Sequence, residues 1–478
     1  MRLAEDIADV LTVAFGHGVL SEMTPRGWLR LVRSYLRGRR DAFTTLATAA
    51  ANDPHGVAVV DDERTWTKRQ LHEASIRLAA WLHTYGHTDR VGVVLENSGR
   101  WFVAMAALLE LGATPLPMSP KLPPAERDRR LTRAGASFAL TEDFDWSVLE
   151  NGAPRRTGLL RNRWGKGEVM LHTSGTTGRS KGARIRTSGA RMGTPFRYLQ
   201  AFDLRHGDRL YTPCPLYHGA PVLLTGLSLI CGAEIVVSRK FNAQALRECT
   251  HAFLVPTLMQ RLLESEVDLP HMRALISGGA LLRAETKRKL LYRFGPVLYD
   301  FYGATELGVV TVASPADLRH KPYGVGKPIR GVEVRLGPDG ELFARSDMLT
   351  PYEGVEPTSR FPGWGSAGDI ARIETDGTVV IVDRKKDVVV SGGVNLFPAE
   401  VEERLEEHSD VREAACAGRP DETFGEALHA WYVGGVEPDD LRAWCRERMA
   451  PYEIPRRVTR VDAIPRSPEG KVLRRQLR

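Results

Sequence analysis

A chain of 478 residues is long enough for about three average domains, or for one large composite domain and a small one. Its content of 42% hydrophobic and 26% charged residues is that of a soluble globular protein, no apolar run approaches the roughly 20 residues of a membrane span, and no signal peptide is expected. A net charge of +7 suits nucleic acid, anionic lipid or a polyphosphate ligand, but acidic residues are interspersed and no RNA-binding aromatic motif, zinc finger or long basic tract occurs, so no nucleic-acid partner is expected.

The five cysteines (Cys214, Cys231, Cys249, Cys416, Cys445) are scattered, with no CxxC spacing. They read as buried reduced thiols of a cytoplasmic protein rather than as disulfides or a zinc site.

Residues 1–45 form an amphipathic, Arg-rich opening in which Trp28, Leu29, Val32, Tyr35 and Leu36 share a helical face. A helix packed on the domain with a solvated basic side is the commoner outcome, and peripheral contact with a membrane surface is the sharper alternative. Residues 57–60 and 64–67 read as a hairpin around Asp61-Asp-Glu63, and 68–85 as a helix. Strands follow at 91–95, 114–117 and 138–140, with a helix at 100–111. A Pro- and Arg-rich connector at 151–166 leads to a short strand ending at His172, and further strands fall at 209–212, 233–237, 252–255 and 274–277. This alternation predicts an α/β fold with layered sheets and flanking helices. Asp376-Gly377 between 371–373 and 379–382 is a hairpin turn, and 383–387 is a charged joint before a small α+β unit of two helices and short strands.

The stretch LHTSGTTGRSKGA, from Leu171 to Ala183, supplies hydroxyls at Thr173, Ser174, Thr176, Thr177 and Ser180. Gly175, Gly178 and Gly182 let the backbone approach a ligand, and Lys181 adds positive charge. Convergent N–H groups and hydroxyls make a nest for phosphate oxygens. The spacing is not that of the P-loop, because Gly178 is not followed by Lys-Ser or Lys-Thr. On composition alone such a segment is an ordinary solvent loop. It resembles the phosphate-binding loop of the adenylate-forming superfamily, with Ser180 where a proline is usual.

The other motifs run in the order of that family. Asp300-Phe-Tyr-Gly-Ala-Thr-Glu306 resembles its YG-x-TE motif, which implies Tyr302 and Gly303 beside adenine, Thr305 as a hydroxyl donor and Glu306 as the Mg²⁺ ligand. Gly279 and Ala280 follow a strand tip where a nucleotide is admitted closely. Gly363-Trp-Gly-Ser-Ala-Gly-Asp369 resembles the TGD motif with Ala367 for threonine, so Asp369 is expected to hold the ribose hydroxyls with support from Arg384. Lys386 falls at the hinge position, and Ser391-Gly392 where the pantetheine of CoA passes. Lys471, in Pro465-Arg-Ser-Pro-Glu-Gly-Lys471, matches the lysine that reaches the α-phosphate. Leu216-Tyr-His218 resembles the acid-pocket motif, with small residues after His218 in place of the aromatic of many fatty-acid ligases. Taken singly, most of these would be solvated turns, and His218 a satisfied core histidine.

The resemblance implies a large adenylation domain over 46–384 and a small mobile domain over 385–478, joined by a hinge. It implies ATP-dependent adenylation of a fatty or aryl acid with Mg²⁺ and transfer to CoA, with Lys471, Thr305, Glu306 and His218 as the catalytic set. Two alternatives stay open: transfer to a carrier protein or an amine, and activation of another oxyanion such as nitrite for diazotisation of an aryl amine. A nucleotide-binding regulatory protein with dead chemistry is disfavoured because Lys181, Glu306, Asp369, Arg384 and Lys471 are all present.

Overall fold

The structure, a computed structural model, describes residues 11–29, 42–150, 168–173, 181–186, 193–350, 361–466 and 472–477, with backbone alone at 42–45, 172–173, 181–186 and 193. The connector at 151–166, residues 174–180 and Lys471 lie outside the described residues, as does the second half of the basic N-terminal stretch.

The sequence alternation resolves into one long sheet of nine strands. Six run parallel in its centre: Leu298–Ala304, Ala274–Ser277, His251–Phe253, Arg209–Thr212, Glu234–Val237 and Val57–Val60. Antiparallel strands close both edges, Gly308–Ala313 and Lys327–Pro328 on one side and Thr65–Thr67 on the other. The expected hairpin at the start is therefore the outer edge of a parallel sheet. Its central strands are buried on both faces, which is why residues 274–276 read as an apolar run without alternation.

A second, three-stranded parallel sheet holds Arg90–Val94 between Thr114–Pro117 and Phe138–Thr141. The helix Gly99–Leu111 packs into the core between the layers. It is apolar on nearly every side, as a helix covered all round must be. Its first turn is fixed by Asp61 in the hairpin turn, whose Oδ2 accepts from the Gly99 N–H at 2.6 Å and from Trp66 Nε1 at 3.2 Å. The helix Lys68–Thr84 begins at a capping box, in which Thr67 and Gln70 satisfy each other's backbone N–H groups.

After Arg384 the chain builds a separate five-stranded sheet with the helices Pro398–Leu405 and Pro438–Arg448. Two of its strands, Val411–Asp421 and Gly425–Gly434, are long rather than short as expected. They pair over nearly their whole length and bury Ala414, Cys416, Ala430 and Tyr432 against the helices. All five cysteines are buried and free.

Candidate functional site

Parallel sheets offer ligands the space beyond the carboxyl ends of their strands. Three of the motifs stand there: residues 278–283 after Ala274–Ser277, residues 305–306 after Leu298–Ala304, and residues 213–218 after Arg209–Thr212.

The surroundings of Asp369 are the best-defined part. Strands Asp369–Ile373 and Val379–Arg384 pair antiparallel with Asp369 opposite Arg384. The Arg384 Nε lies 2.7 Å from Asp369 Oδ1, and the Tyr302 hydroxyl donates to Asp369 Oδ2 at 2.6 Å. Asp369 is only 3% exposed, so these contacts work in a poorly solvated setting. Burial, and then the neighbouring Asp369 carboxylate, hold the Tyr302 phenol well above its ordinary pKa and keep it a donor at neutral pH. Arg384 also donates to the Ala367 carbonyl at 3.3 Å. That bond uses main chain only, so alanine in place of the usual threonine leaves it intact. Ser366 fixes the same turn, donating to Glu341 at 2.7 Å and accepting from the Gly368 N–H at 3.0 Å.

Gly303 has a local cause beyond any ligand. The ladder to Gly308–Ala313 shifts register between Tyr302 and Gly303, and a Cβ at 303 would lie 2.3 Å from the Gly308 carbonyl oxygen. Gly278 is likewise needed to admit the Phe301 ring, whereas Gly279 takes φ +83° with open space where a side chain would stand. Ala280 follows, partly exposed.

The acid-pocket motif adjoins this edge. His218 caps the helix Gly219–Cys231 and stands 4.5 Å, ring to ring, from Tyr217. A Cβ at Gly219 would meet Leu171 Cδ1 and Thr305 Oγ1, both at 3.6 Å. Three motifs distant in sequence therefore converge on one small residue.

A residue that sequence reading passed over holds this turn. Buried Asn97 donates to the carbonyls of Cys214 (3.0 Å) and Ser238 (3.1 Å), and its Oδ1 accepts from the Leu216 N–H at 3.0 Å. A lone asparagine after a strand carries no signal of this. Asn97→Leu leaves three buried main-chain groups without that partner and is expected to destabilise the protein by about 2–4 kcal/mol. Thermal unfolding checks this; an unchanged midpoint would remove Asn97 from its positioning role.

The expected phosphate loop is shorter than its motif. Glu168–Thr173 and Lys181–Arg186 form an antiparallel hairpin with Thr173 opposite Lys181, so Lys181, Gly182 and Ala183 belong to a returning strand. The alternating Lys-Gly-Ala-Arg-Ile-Arg pattern explains this strand. Ser174, Gly175, Thr176, Thr177 and the residues to 180, between the two strands in sequence, lie outside the described residues. Lys386, Ser391 and Gly392 lie beyond the Asp369–Arg384 pair, Ser391 at the end of a strand of the five-stranded sheet and Gly392 in the turn that follows it.

The donor set also fits Mg²⁺. Among the described residues no cluster of three His, Cys, Asp or Glu side chains is placed to hold a metal. Glu306 is partly buried, and its backbone carbonyl accepts from the Thr350 N–H at 2.8 Å. One carboxylate completed by substrate phosphates is the arrangement Mg²⁺ favours, in contrast to an all-protein cage.

The layered large domain, the smaller C-terminal unit and the Tyr302–Asp369–Arg384 grouping define an adenylate-forming enzyme. The chain belongs to the AMP-binding enzyme family: the family's main domain matches residues 46–163 and 168–347, and the AMP-binding enzyme C-terminal domain matches residues 400–471. It is an AMP-forming ligase of the acid–CoA ligase type. Feruloyl-CoA synthase of an Amycolatopsis species is 30% identical over 90% of this chain and 96% of its own. The Bacillus subtilis o-succinylbenzoate coenzyme A synthetase, solved with ATP and magnesium ion, is 26% identical with TM-score 0.79, covering 91% of this chain and 98% of its own. The amide bond synthetase McbA of Marinactinospora thermotolerans is 25% identical with TM-score 0.81, covering 91% and 99%.

Proposed function

We propose that this chain activates a carboxylic acid with ATP and passes the acyl group to CoA. The observation that carries the reading is the Tyr302–Asp369–Arg384 grouping, a buried carboxylate held from two sides where a ribose can be gripped. In the first half-reaction a carboxylate oxygen bonds to the α-phosphorus of ATP, and the bond to the departing pyrophosphate breaks. Both reactants are anionic, so catalysis is mainly positional and electrostatic. Lys181 and Lys471 supply positive charge, while Thr173, Ser174, Gly175, Thr176 and Thr177 cradle phosphate. Tyr302, Gly303, Gly279 and Ala280 border the adenine, and Asp369 with Arg384 holds the ribose. Bound at Glu306, Mg²⁺ would neutralise phosphate charge. In the second half-reaction the CoA thiol loses its proton, sulfur bonds to the acyl carbon and AMP leaves.

The small unit turns between the two steps, with Lys386 as pivot and the domain boundary falling between 384 and 385. Supporting Lys386 as the pivot, its neighbour Lys385 is tied back to Asp339 and Glu341 of the large domain at 2.8 Å each. Gly392, at φ +57°, has the Phe424 ring 2.9 Å from where a Cβ would stand, so no larger residue is accommodated in the turn that Ser391 opens toward the CoA channel.

The feruloyl and succinylbenzoyl specificities of the relatives favour an aryl acid, and His218 with its small successors lines the pocket for it. The deciding experiment is pyrophosphate release with Mg-ATP over aryl and fatty acids and nitrite, with and without CoA. Acid-dependent turnover that yields a thioester supports the reading. Turnover that consumes an amine, as the McbA likeness suggests testing, or that loads a carrier protein, keeps adenylation and replaces the acceptor. Turnover confined to nitrite with an aryl amine overturns the acid reading.

We place the protein in the cytoplasm, which the buried free thiols support. No helix among the described residues is long and apolar enough to cross a membrane. Exposed Leu11, Phe15, Trp28 and Leu29 beside the arginines of 30–40 support peripheral contact with anionic lipid. Removing the first 40 residues is then expected to abolish sedimentation with anionic vesicles; equal sedimentation of both forms would sink the idea.

A further inference from the structure

Arg283 of the large domain reaches into the small one. Arg283 ends the turn that begins at Gly278-Gly279 and caps the helix Ala284–Phe294. Its Nε lies 2.6 Å from Glu406 Oε2, and its Nη2 lies 3.8 Å from Glu402 Oε2 and 3.5 Å from the Ala414 carbonyl. The two glutamates form a socket already committed to the small domain. Glu406 Oε1 accepts from the Ala414 N–H and Glu402 Oε1 from the Cys416 N–H, both at 2.7 Å. Arg474 pairs with Glu402 at 2.6 Å from the other side. Glu406 has 15% of its side chain exposed, so withdrawing Arg283 leaves a poorly solvated carboxylate.

The socket is next to the base of the lysine-bearing segment. Glu413, adjacent to Ala414, pairs with Arg466 (Nε to Oε1, 2.8 Å), and Arg466 forms a β-bridge with Val472. Arg466 and Val472, which flank residues 467–471 in the sequence, are therefore held beside the point where Arg283 docks. Arg283 in turn is four residues from Gly279. Arg283 thus ties the nucleotide-side turn of the large domain to the strand that anchors the Lys471 segment.

We infer that Arg283, through Glu406 and Glu402, is a positioning residue that holds the small domain in the orientation used for adenylation. This rests on the two-step reading above. Rotation for thioester formation must pull Arg283 from its socket, so the pair biases the enzyme toward the first half-reaction until acyl-adenylate has formed. Glu406→Gln isolates the effect, because it keeps an acceptor for Ala414 and removes the charge that faces Arg283.

The test is made on the full chain, with spin labels at two exposed positions, Tyr292→Cys on the large domain and Glu447→Cys on the small one; the native cysteines are all buried. Pulsed electron resonance then reads the distance between the domains with Mg-ATP present. Arg283→Ala and Glu406→Gln are each expected to spread a dominant distance into two populations, and Arg283→Lys to restore one. In parallel, acid-dependent ATP–pyrophosphate exchange is expected to fall on the order of tenfold. CoA consumption from preformed acyl-adenylate is expected to be undiminished, a split that general loss of folding would not produce. Unchanged distances in both variants overturn the inference. If no acid supports exchange, the functional reading fails while the distance measurement still decides the role of Arg283.

Discussion

Asp369→Ala is expected to lower kcat/KM for ATP in acid-dependent pyrophosphate release by roughly 10²–10⁴-fold, since each hydrogen bond to a charged acceptor contributes about 1.5–3 kcal/mol and a ribose offers two hydroxyls. Arg384 engages Oδ1 and Tyr302 engages Oδ2, so the carboxylate is held from both sides. The same two partners fix the carboxylate in one rotamer, so binding does not have to order it. Tyr302→Phe removes one of these restraints and is expected to cost about tenfold. Initial rates against ATP concentration check both variants. A dependence on ATP unchanged by Asp369→Ala would take that residue out of the nucleotide site.

Lys287→Met is expected to destabilise the large domain by about 3–5 kcal/mol. The Lys287 Nζ lies 2.6 Å from Asp300 Oδ2, with side chains 0% and 3% exposed, and it also donates to the Gly324 carbonyl at 2.9 Å. Asp300 lies on the strand that carries Tyr302, so the pair anchors that strand from beneath. Burial raises the Asp300 pKa and Lys287 opposes that rise. Without the lysine the buried carboxyl takes up a proton instead. A raised native pKa means stability that is present below the unfolded carboxylate range and lost as pH rises through the native value. The deficit of Lys287→Met is therefore expected to shrink toward pH 4 and widen toward neutrality, as denaturant titrations at several pH values would read. Lys287→Met with Asp300→Leu removes both charges and is expected to recover most of the loss. A double variant as unstable as the single one would count against the uncompensated charge as the cause.

The motif residues were legible because their chemistry is local. Lys181, Glu306 and Asp369 each sit in a short run whose glycines and hydroxyls have a reason at that spacing, and Arg384 ends an apolar strand. The extent of the phosphate loop was less legible. Lys181 to Ala183 look like loop by composition, but pairing with Leu171 to Thr173 makes them strand, and that pairing is a property of two segments together.

By itself, the sequence determined the layered α/β architecture and the order of the motifs, because periodicity and turn chemistry act over a few residues. Only the tertiary structure decided that Asn97 carries the acid-pocket turn, that Lys287 neutralises Asp300, and that Arg283 docks between Glu402 and Glu406. Each joins residues far apart in the chain through a buried polar contact, and the need for a buried charge or amide to find its partner leaves no periodic trace in the sequence.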